Sequence, residues 1–405
     1  MGKNVLSINL GNYGSTGMIM CEISKKAEMV GYIAYQAFPV SARNKPLQER
    51  DIIICSKFSK KINEHLGIWT GFYGCFSYFS TKSFLEKVKK INPDIIHLHN
   101  IHGGYINLSL LFKYIKKNNI RVIWTLHDCW AFTGHCSHFD MIGCDKWKTG
   151  CYKCTQLNEY PTSRVDRTKT MYNLKKKWFT GVKDLTIVTP SKWLADLVKQ
   201  SFLKDYSVKV INNGINLEIF KPTDSDFRKK YNCVDKFILL GVAFDWGERK
   251  GLDVFIELSK RLDNKFQIVL VGTDDVVDKQ LPENIISIHR THNQQELAEI
   301  YTAADLFVNP TREETYPTVN MESLACGTPV VTFNTGGSPE IFDESCGLVT
   351  ESNDVDTMKR AIIHVCENKP FSPEACLERA KSFDKSDRYD EYIELNKSII
   401  KEILL

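Results

Sequence analysis

Short apolar runs alternate with amphipathic segments along this chain, and the whole pattern begins again near its middle. Strand-like runs in the first half are Asn4 to Leu10, Asp94 to Leu98, Arg121 to Leu126 and Leu185 to Thr189, with helices expected at Phe84 to Lys90 and Leu108 to Lys117. The second half has strand-like runs that start at Lys236, Phe266, Ile285, Asp305 and Thr328, with helices expected at Leu252 to Arg261 and Gln294 to Ala303. Such alternation predicts parallel sheets covered by helices. Because the 405 residues exceed the ~250 that one core usually holds, we expect two doubly wound α/β domains.

The restart of the pattern also predicts where the domains divide. We place the first domain at residues 1–205, the second at residues 206–380 and a closing helix at residues 381–405. A stretch rich in Asn and Gly, from Val208 to Pro222, is expected to link the domains. A polar, cysteine-rich insertion interrupts the first domain at about residues 129–160.

Ligands of open α/β sheets bind beyond the carboxyl ends of the strands, so the loops there are the places to search. The loop after the first strand contains Gly14, Ser15 and Gly17, where the backbone can approach a ligand and a helix N-terminus can face an anion. A tight strand-to-helix turn would use the same residues. His127 and Asp128 follow the strand from Arg121, and an imidazole beside a carboxylate can contact a ligand or exchange a proton. A structural histidine is the alternative interpretation.

Two loops of the second half have residues suited to a charged ligand. Arg249 and Lys250 precede a glycine at a helix start, which suits the binding of a diphosphate, although a solvated charge run is the alternative. Glu314 lies in the loop after the strand from Asp305, and Glu322 is expected about one turn inside the next helix. Two carboxylates in these positions can accept hydrogen bonds from hydroxyl groups on different parts of one ligand.

Together these motifs resemble the family 4 retaining glycosyltransferases of the GT-B fold. The resemblance rests on the two glutamates, on the Cys326-Gly-Thr-Pro-Val-Val segment that follows them, and on Ile211-Asn-Asn-Gly-Ile, Arg249-Lys-Gly and Thr335-Gly-Gly-Ser-Pro-Glu. Gly14-Ser-Thr-Gly, Pro93-Asp-Ile-Ile-His-Leu-His and Thr125-Leu-His-Asp-Cys-Trp are similar to the branch that builds bacterial exopolysaccharide and lipopolysaccharide. The resemblance implies two Rossmann-like domains that face each other across a cleft, with the C-terminal helix packing back.

The resemblance also implies a role for each motif. A hexose would pass from a nucleoside-diphosphate sugar to a sugar acceptor with retention, without a catalytic metal. Glu322 would hold the ribose and Glu314 the transferred sugar, while Lys250 and Arg249 neutralise the diphosphate. The amides near Thr318 and Val319 would assist them. His127 would contact the donor sugar, and the loop with Gly14, Ser15 and Gly17 would border the sugar phosphate and the acceptor.

Two departures from the family pattern affect the diphosphate clamp. Asp245 stands where the family usually has an arginine five residues before the lysine, so Arg249 is expected to replace that arginine. Thr315-Tyr316-Pro317 stands where the family usually has Gly-Phe-Gly. The same domains would serve a nucleotide-sugar epimerase or a sugar-binding protein without activity, and both stay as alternatives.

Four of the 13 cysteines form a cluster in the insertion: Cys136, Cys144, Cys151 and Cys154. Four thiolates at loop spacing suit a tetrahedral structural zinc, and they would leave no open coordination position for catalysis. A redox dithiol and plain reduced cysteines are the alternatives.

Charge divides the chain into two unlike halves. Residues 1–200 have 29 Lys and Arg against 14 Asp and Glu, whereas the second half is acidic. The basic half lacks a recognised nucleic-acid motif, so we expect no nucleic acid but an anionic membrane that holds an oligosaccharide or polyprenyl-pyrophosphate-linked acceptor. Aromatics between Lys61 and Lys82, and Trp178 and Phe179 after Lys175, are expected to contact that membrane, unless they are core residues.

The expected location follows from hydropathy. No apolar run approaches the ~20 residues of a membrane-spanning helix, and the N-terminal residues have strand character. We therefore expect a cytoplasmic protein, without a lipid anchor, that associates peripherally with the membrane.

Overall fold

The computed structural model describes residues 2–401, which divide into two compact units. The first unit runs up to Phe139, continues over Gly143–Ile211 and includes the segment from Tyr389 on. The second unit comprises Asp140–Ile142 and Asn212–Arg388.

The first unit is built on a parallel sheet of seven strands. The strands are β1 (Asn4–Ile8), β2 (Ile33–Phe38), β3 (Asp51–Ile53), β4 (Ile95–Leu98), β5 (Arg121–Thr125), β6 (Leu185–Thr189) and β7 (Ser207–Val210), in the order β3-β2-β1-β4-β5-β6-β7. The helices are α1 (Gly14–Met29), α2 (Lys57–Thr70), α3 (Tyr78–Ile91), α4 (Leu108–Lys117), α5 (Thr168–Phe179) and α6 (Lys192–Gln200). Each neighbouring strand pair requires a crossover connection, which is what the alternating pattern predicted.

The second unit has a parallel sheet of six strands. Its strands are β8 (Phe237–Val242), β9 (Phe266–Val271), β10 (Ile285–Ile288), β11 (Leu306–Asn309), β12 (Val330–Phe333) and β13 (Gly347–Thr350), in the order β10-β9-β8-β11-β12-β13. The helices are α7 (Phe227–Lys230), α8 (Leu252–Arg261), α9 (Asp275–Asp278), α10 (Gln294–Ala303), α11 (Thr318–Ala325), α12 (Val355–Asn368) and α13 (Pro373–Lys381).

A last helix, α14 (Lys385–Lys401), closes the described part of the chain. Tyr389 and Tyr392 of α14 are buried with Val5 and Ile19 in one apolar cluster of the first unit. The helix predicted from residue 381 therefore begins at Lys385, because α13 ends at Lys381 and a short turn separates the two helices.

The sheet of the first unit extends further than the sequence pattern indicated. Val208 was predicted to open a linker, but β7 pairs in parallel with β6 there. The strand was missed because its residues are only partly buried at the edge of the sheet, so the apolar pattern is weak. The units accordingly divide after Ile211, and not after residue 205.

Helices long and apolar enough to cross a bilayer are absent from residues 2–401. Helix α1 packs on β2 in the first unit, and helix α12 packs on β12 in the second. Aromatic contacts reinforce the first core, where Trp124 of β5 packs edge-to-face on Phe179, 4.8 Å between ring centres.

Candidate functional site

Two of the predicted site residues of the second unit are in direct contact. Lys250 Nζ donates to Glu314 Oε2 over 2.7 Å, and both side chains are about one-fifth exposed. Lys250 ends a short 3-10 turn after β8, and Glu314 lies in the loop after β11, the neighbouring strand. The two loops therefore meet at the carboxyl edge of the sheet, where ligands of this class of fold bind.

Two glycines fix how closely these loops approach each other. Gly251 has φ +75°, and a Cβ there would lie 2.5 Å from the Pro310 carbonyl oxygen. Gly336 has φ +55°, and its Cβ would lie 1.7 Å from the Glu314 carbonyl oxygen. Only glycine meets both demands, since other residues disfavour positive φ and would collide with the backbone. The glycines thus hold the backbone on either side of the Lys250–Glu314 pair.

Arg312 braces the same loops, and sequence reasoning missed it. Its guanidinium makes two 2.7 Å bonds to the carboxylate of Asp253, and its amide donates to the Arg249 carbonyl over 2.9 Å. A bidentate arginine pair fixes orientation as well as distance. The signal was available in the sequence, because Arg312 stands two residues before Glu314 in the loop after β11.

Glu322 lies on α11, in an environment that disfavours its charge. Burial raises its pKa from the ordinary value to about 7, although hydrogen bonds from Tyr301 and Thr318 act in the opposite direction. The Tyr301 hydroxyl donates to Glu322 Oε2 over 3.2 Å. A partly desolvated carboxylate is a strong acceptor for the hydroxyls of a ligand once it is ionised.

The start of α11 also presents backbone donors. Thr318 and Val319 are the first two residues of this helix, so their amides have no carbonyl one turn earlier within it. Pro317 precedes them in extended conformation, and Tyr316 is buried in the core of the unit. The departure Thr315-Tyr316-Pro317 is therefore accommodated by packing Tyr316 inward while the helix start stays partly exposed.

Arg249 is partly exposed next to Lys250, and its carbonyl is bound by the Arg312 amide. Asp245, four residues earlier in the sequence, is exposed.

In the first unit, the glycine-rich loop leads directly into α1, which begins at Gly14. Gly14 and Ser15 are exposed, whereas Gly17 is buried, and a Cβ there would lie 2.8 Å from the Gly11 carbonyl oxygen. Asn9 holds this loop by donating to the Gly11 carbonyl over 2.9 Å. Gly17 thus lets the helix pack on its own loop, while Gly14 and Ser15 remain available to a ligand.

His127 belongs to a stack of histidines at the ends of β4 and β5. His127 Nε2 lies 3.2 Å from His99 Nδ1, and the two rings stack at 5.5 Å. Burial lowers the pKa of His127 to about 4. The imidazole is therefore neutral at pH 7, which suits a hydrogen bond to a sugar hydroxyl and not the neutralisation of a phosphate.

A second chain of polar groups starts at Asp128. His102 Nε2 lies 3.0 Å from Asp128 Oδ2, and His102 Nδ1 lies 2.9 Å from the Tyr160 hydroxyl. The Trp130 amide donates to the other carboxylate oxygen over 2.8 Å. His102 and Tyr160 are 58 residues apart in the sequence, so no local pattern reveals their contact.

The cysteine cluster is only partly assembled. Cys136 Sγ and Cys154 Sγ lie 3.7 Å apart, close to the ~3.8 Å edge expected for two sulfurs ~2.3 Å from one zinc. The Gly134 amide donates to Cys151 Sγ over 3.1 Å. Within residues 2–401, however, no three cysteine sulfurs all lie within 4.8 Å of one another. The zinc site with Cys144 therefore stays a prediction, which elemental analysis of the purified chain tests.

One exposed group in the second unit has the spacing for a metal ion: Asp275, Asp278 and His289. His289 Nε2 already pairs with Asp278 over 2.6 Å, and exposed acidic groups of this kind are common without an ion.

Two family profiles match the parts of the chain that contain these residues. Residues 235–368, with the Lys250–Glu314 pair and Glu322, match the profile of glycosyl transferases group 1. Residues 52–219, with His127 and the cysteines, match Glycosyltransferase Family 4. The chain belongs to glycosyltransferase family 4.

Curated relatives of this family member are distant. WcaC of Escherichia coli K12, named for colanic acid biosynthesis, is 26% identical over 271 residues, which is 65% of this chain and 65% of WcaC. The O-antigen biosynthesis glycosyltransferase WclY of Escherichia coli is 25% identical over 42% of this chain and 49% of its own length.

Solved structures show the fold of this family 4 member to be GT-B. A sucrose-phosphate synthase from Thermosynechococcus elongatus superposes with a TM-score of 0.74 at 17% identity, over 99% of this chain and 100% of its own. Anabaena HepE in complex with UDP-glucose superposes with a TM-score of 0.68 at 14% identity, over 98% and 99%.

Proposed function

We propose that this family 4 member is a retaining glycosyltransferase that moves a hexose from a nucleoside-diphosphate sugar to a lipid-linked sugar acceptor in the synthesis of a surface polysaccharide. The Lys250–Glu314 contact is the observation that supports it most, because a cation and a carboxylate lie together at the carboxyl edge of the sheet. The cation can bind a diphosphate, and the carboxylate can accept hydrogen bonds from the hydroxyls of a sugar. The names of WcaC and WclY support polysaccharide synthesis as the setting.

In this proposal each group of the second unit meets one part of the donor. Glu322 accepts from the ribose hydroxyls, and the Thr318 and Val319 amides face the diphosphate at the positive end of α11. When the donor binds, Lys250 exchanges Glu314 Oε2 for the diphosphate, and that oxygen then accepts from the hexose. Arg249 adds a second positive charge to the leaving group.

The first unit is assigned to the sugars. Neutral His127 contacts the hexose of the donor, and the exposed start of α1 at Gly14 and Ser15 borders the sugar phosphate. Retention follows from the family resemblance. A UDP-sugar is the leading donor class, because HepE was solved in complex with UDP and with UDP-glucose.

The test of the proposed function is a donor screen followed by product analysis. UDP-, GDP- and ADP-sugars are added in a thermal-shift assay, where a donor at one hundred times its Kd should stabilise the fold by about 2.7 kcal/mol. The product is then followed by NMR with the donor identified. We expect the anomeric configuration of the donor to be kept. An inverted product, or no stabilisation by any nucleotide sugar, contradicts the proposal.

We further propose that α2 attaches the enzyme to the anionic membrane that holds its acceptor. Phe58, Ile62, Leu66 and Trp69 are exposed and follow one another at spacings of four, four and three, so they form one stripe along the helix. Lys57 and Lys61 lie exposed beside this stripe. Exposed apolar rings next to lysines are what an interface of lipid headgroups and acyl chains accommodates.

One part of the membrane expectation is wrong. Lys175 is buried, and its Nζ donates to the carbonyls of Trp130 and Thr133 over 2.7 and 3.1 Å. Trp178 and Phe179 belong to the hydrophobic core. Trp178 and Phe179 are absent from the surface because α5 packs their side against the insertion and the sheet. The three consecutive lysines from Lys175 did not reveal this packing.

Liposome flotation tests this attachment. We expect binding to vesicles with anionic lipid, loss of binding at high salt, and about tenfold or greater weakening by Lys57→Glu with Lys61→Glu, since each lysine near the surface contributes about 1 kcal/mol. Lys279→Glu, an exposed lysine of the second unit, is the matched control and should bind as the parent does. Equal recovery with neutral and anionic vesicles contradicts the attachment.

A further inference from the structure

The chain of polar groups from Asp128 through His102 to Tyr160 has an outward end that no other role accounts for. His102 is buried at 5% exposure, whereas Tyr160 is 55% exposed at the end of the cysteine-rich insertion. The backbone of Tyr160 is fixed separately, because Ser137 Oγ donates to its carbonyl over 3.1 Å. An exposed aromatic ring is therefore held in place by hydrogen bonds at both its hydroxyl and its backbone.

Hydrogen bonding gives this chain a direction. Burial raises the pKa of Asp128, but His102 and the Trp130 amide outweigh it and hold the value at about 2, so the carboxylate is ionised and only accepts. His102 must then donate from Nε2. In the tautomer that donates from Nε2, the Nδ1 atom of His102 is an acceptor, and the Tyr160 hydroxyl donates inward to it over 2.9 Å. The Tyr160 oxygen keeps only lone pairs for a ligand.

An oxygen that can only accept selects among the groups of the two substrates. Phosphate oxygens also accept only, so neither the donor diphosphate nor a lipid pyrophosphate gains a hydrogen bond from it. A sugar hydroxyl can donate to it, and the exposed ring next to it offers an apolar face to the C–H face of a pyranose. Tyr160 is part of the first unit, whereas the residues assigned to the nucleotide are in the second.

Resting on the proposed function, we propose that Tyr160 binds the acceptor sugar, with its ring against the pyranose and its hydroxyl oxygen accepting from one acceptor hydroxyl. His102 and Asp128 are positioning residues, because their hydrogen bonds direct the Tyr160 proton towards His102 Nδ1. The inserted segment thereby selects for an acceptor with a hydroxyl at that position, independently of the donor.

The test measures acceptor and donor separately in the full-length protein. The probes are p-nitrophenyl glycosides of glucose, galactose and N-acetylglucosamine and their monodeoxy analogues, with the donor found in the screen. We expect Tyr160→Phe to raise the acceptor KM about tenfold, the size of one neutral hydrogen bond, and to leave the donor KM and the hydrolysis of donor by water unchanged. Tyr152→Phe, an exposed tyrosine of the same insertion, should match the parent.

The positioning role has its own readout. The deoxy analogue that lacks the contacted hydroxyl should raise KM in the parent but not further in Tyr160→Phe, because both changes remove the same bond. Asp128→Asn should reverse the chain, since an amide donates to His102 Nε2 and Nδ1–H then donates to Tyr160. That variant should still bind the contacted sugar hydroxyl, which accepts as well as donates, but it should bind the deoxyfluoro analogue, whose fluorine only accepts, more tightly than the parent does. It should melt below the parent at pH 7, because the folded protein favours the ionised Asp128 carboxylate.

Three outcomes separate the inference from the function on which it rests. If no nucleotide sugar binds the parent protein, the proposed function fails. If donor binds and Tyr160→Phe raises the donor KM, or leaves every acceptor KM unchanged, the acceptor role of Tyr160 is wrong. If no glycoside is turned over, saturation-transfer NMR on the donor-bound protein replaces kinetics, and equal glycoside signals from the parent and Tyr160→Ala overturn the proposal.

Discussion

Replacing Lys250 with alanine is expected to lower kcat by about 10²- to 10³-fold and to change the donor KM by much less. Charge builds up on the leaving diphosphate as the glycosidic bond breaks, so a cation held at that position stabilises the transition state more than the bound donor. Before the donor binds, Lys250 is paired with Glu314 over 2.7 Å. The pair keeps the ammonium oriented at the edge of the sheet, which reduces the reorganisation required during the reaction.

Steady-state kinetics on Lys250→Ala and Lys250→Arg measure this effect. The arginine variant keeps the charge but not the shape, so it should recover only part of kcat. Lys279→Ala removes an exposed lysine elsewhere in the second unit and serves as the control. A Lys250→Ala enzyme with parental kcat and a raised donor KM would contradict transition-state stabilisation, and would assign Lys250 to ground-state binding only.

Glu314 should be energetically coupled to Lys250, and the structure gives the reason. Substitution of either residue removes the ion-pair partner of the other. The loss of activity in the double variant is therefore expected to be smaller than the two single losses combined. The glycines at 251 and 336 keep the two loops close whichever side chain is changed.

Most of the fold was predictable because its strands are buried on both faces and therefore read as continuous apolar runs. The strands β1, β4, β5 and β6 of the first sheet and β8 to β12 of the second confirm that pattern. The edge strand β7 alternates exposed and partly buried residues, and β3 has only three residues, so neither gives a comparable signal. These two strands were missed for this reason, whereas the edge strand β10 has a short apolar run from Ile285 and was predicted.

The site was predictable where a residue acts through its position after a strand. Lys250 and Glu314 were found in that way, and their loops do meet. Tyr160 was missed because its role depends on a partner 58 residues away in the sequence. Arg312 stands in the same loop as Glu314, but its partner Asp253 lies 59 residues away and gave no local pattern. Lys175 was misinterpreted for the same reason, since only the folded insertion supplies the two carbonyls that hold its ammonium.

Replacing Glu322 with glutamine is expected to weaken donor binding by roughly 1–3 kcal/mol and at the same time to stabilise the donor-free fold above pH 7. The weaker binding follows because a charge-assisted hydrogen bond to the ribose becomes a neutral one. The stabilisation follows from burial, which raises the pKa of Glu322 in the folded protein from 4.5 to about 7. Between these two values the folded state holds a proton that the unfolded state has lost, so the free energy of unfolding falls as the pH rises through that window.

Glutamine removes this penalty, so the melting temperature of Glu322→Gln without donor should exceed that of the parent at pH 8, and the difference should shrink towards pH 5. Donor affinity of the parent should rise as the pH passes about 7, because the carboxylate then ionises, whereas the variant should lose this dependence. Glu374→Gln, an exposed glutamate on α13, should show neither change. Lower stability of Glu322→Gln at pH 8 would mean that the ionised carboxylate stabilises the donor-free fold. Burial would then not raise the pKa of Glu322, and the prediction would be wrong.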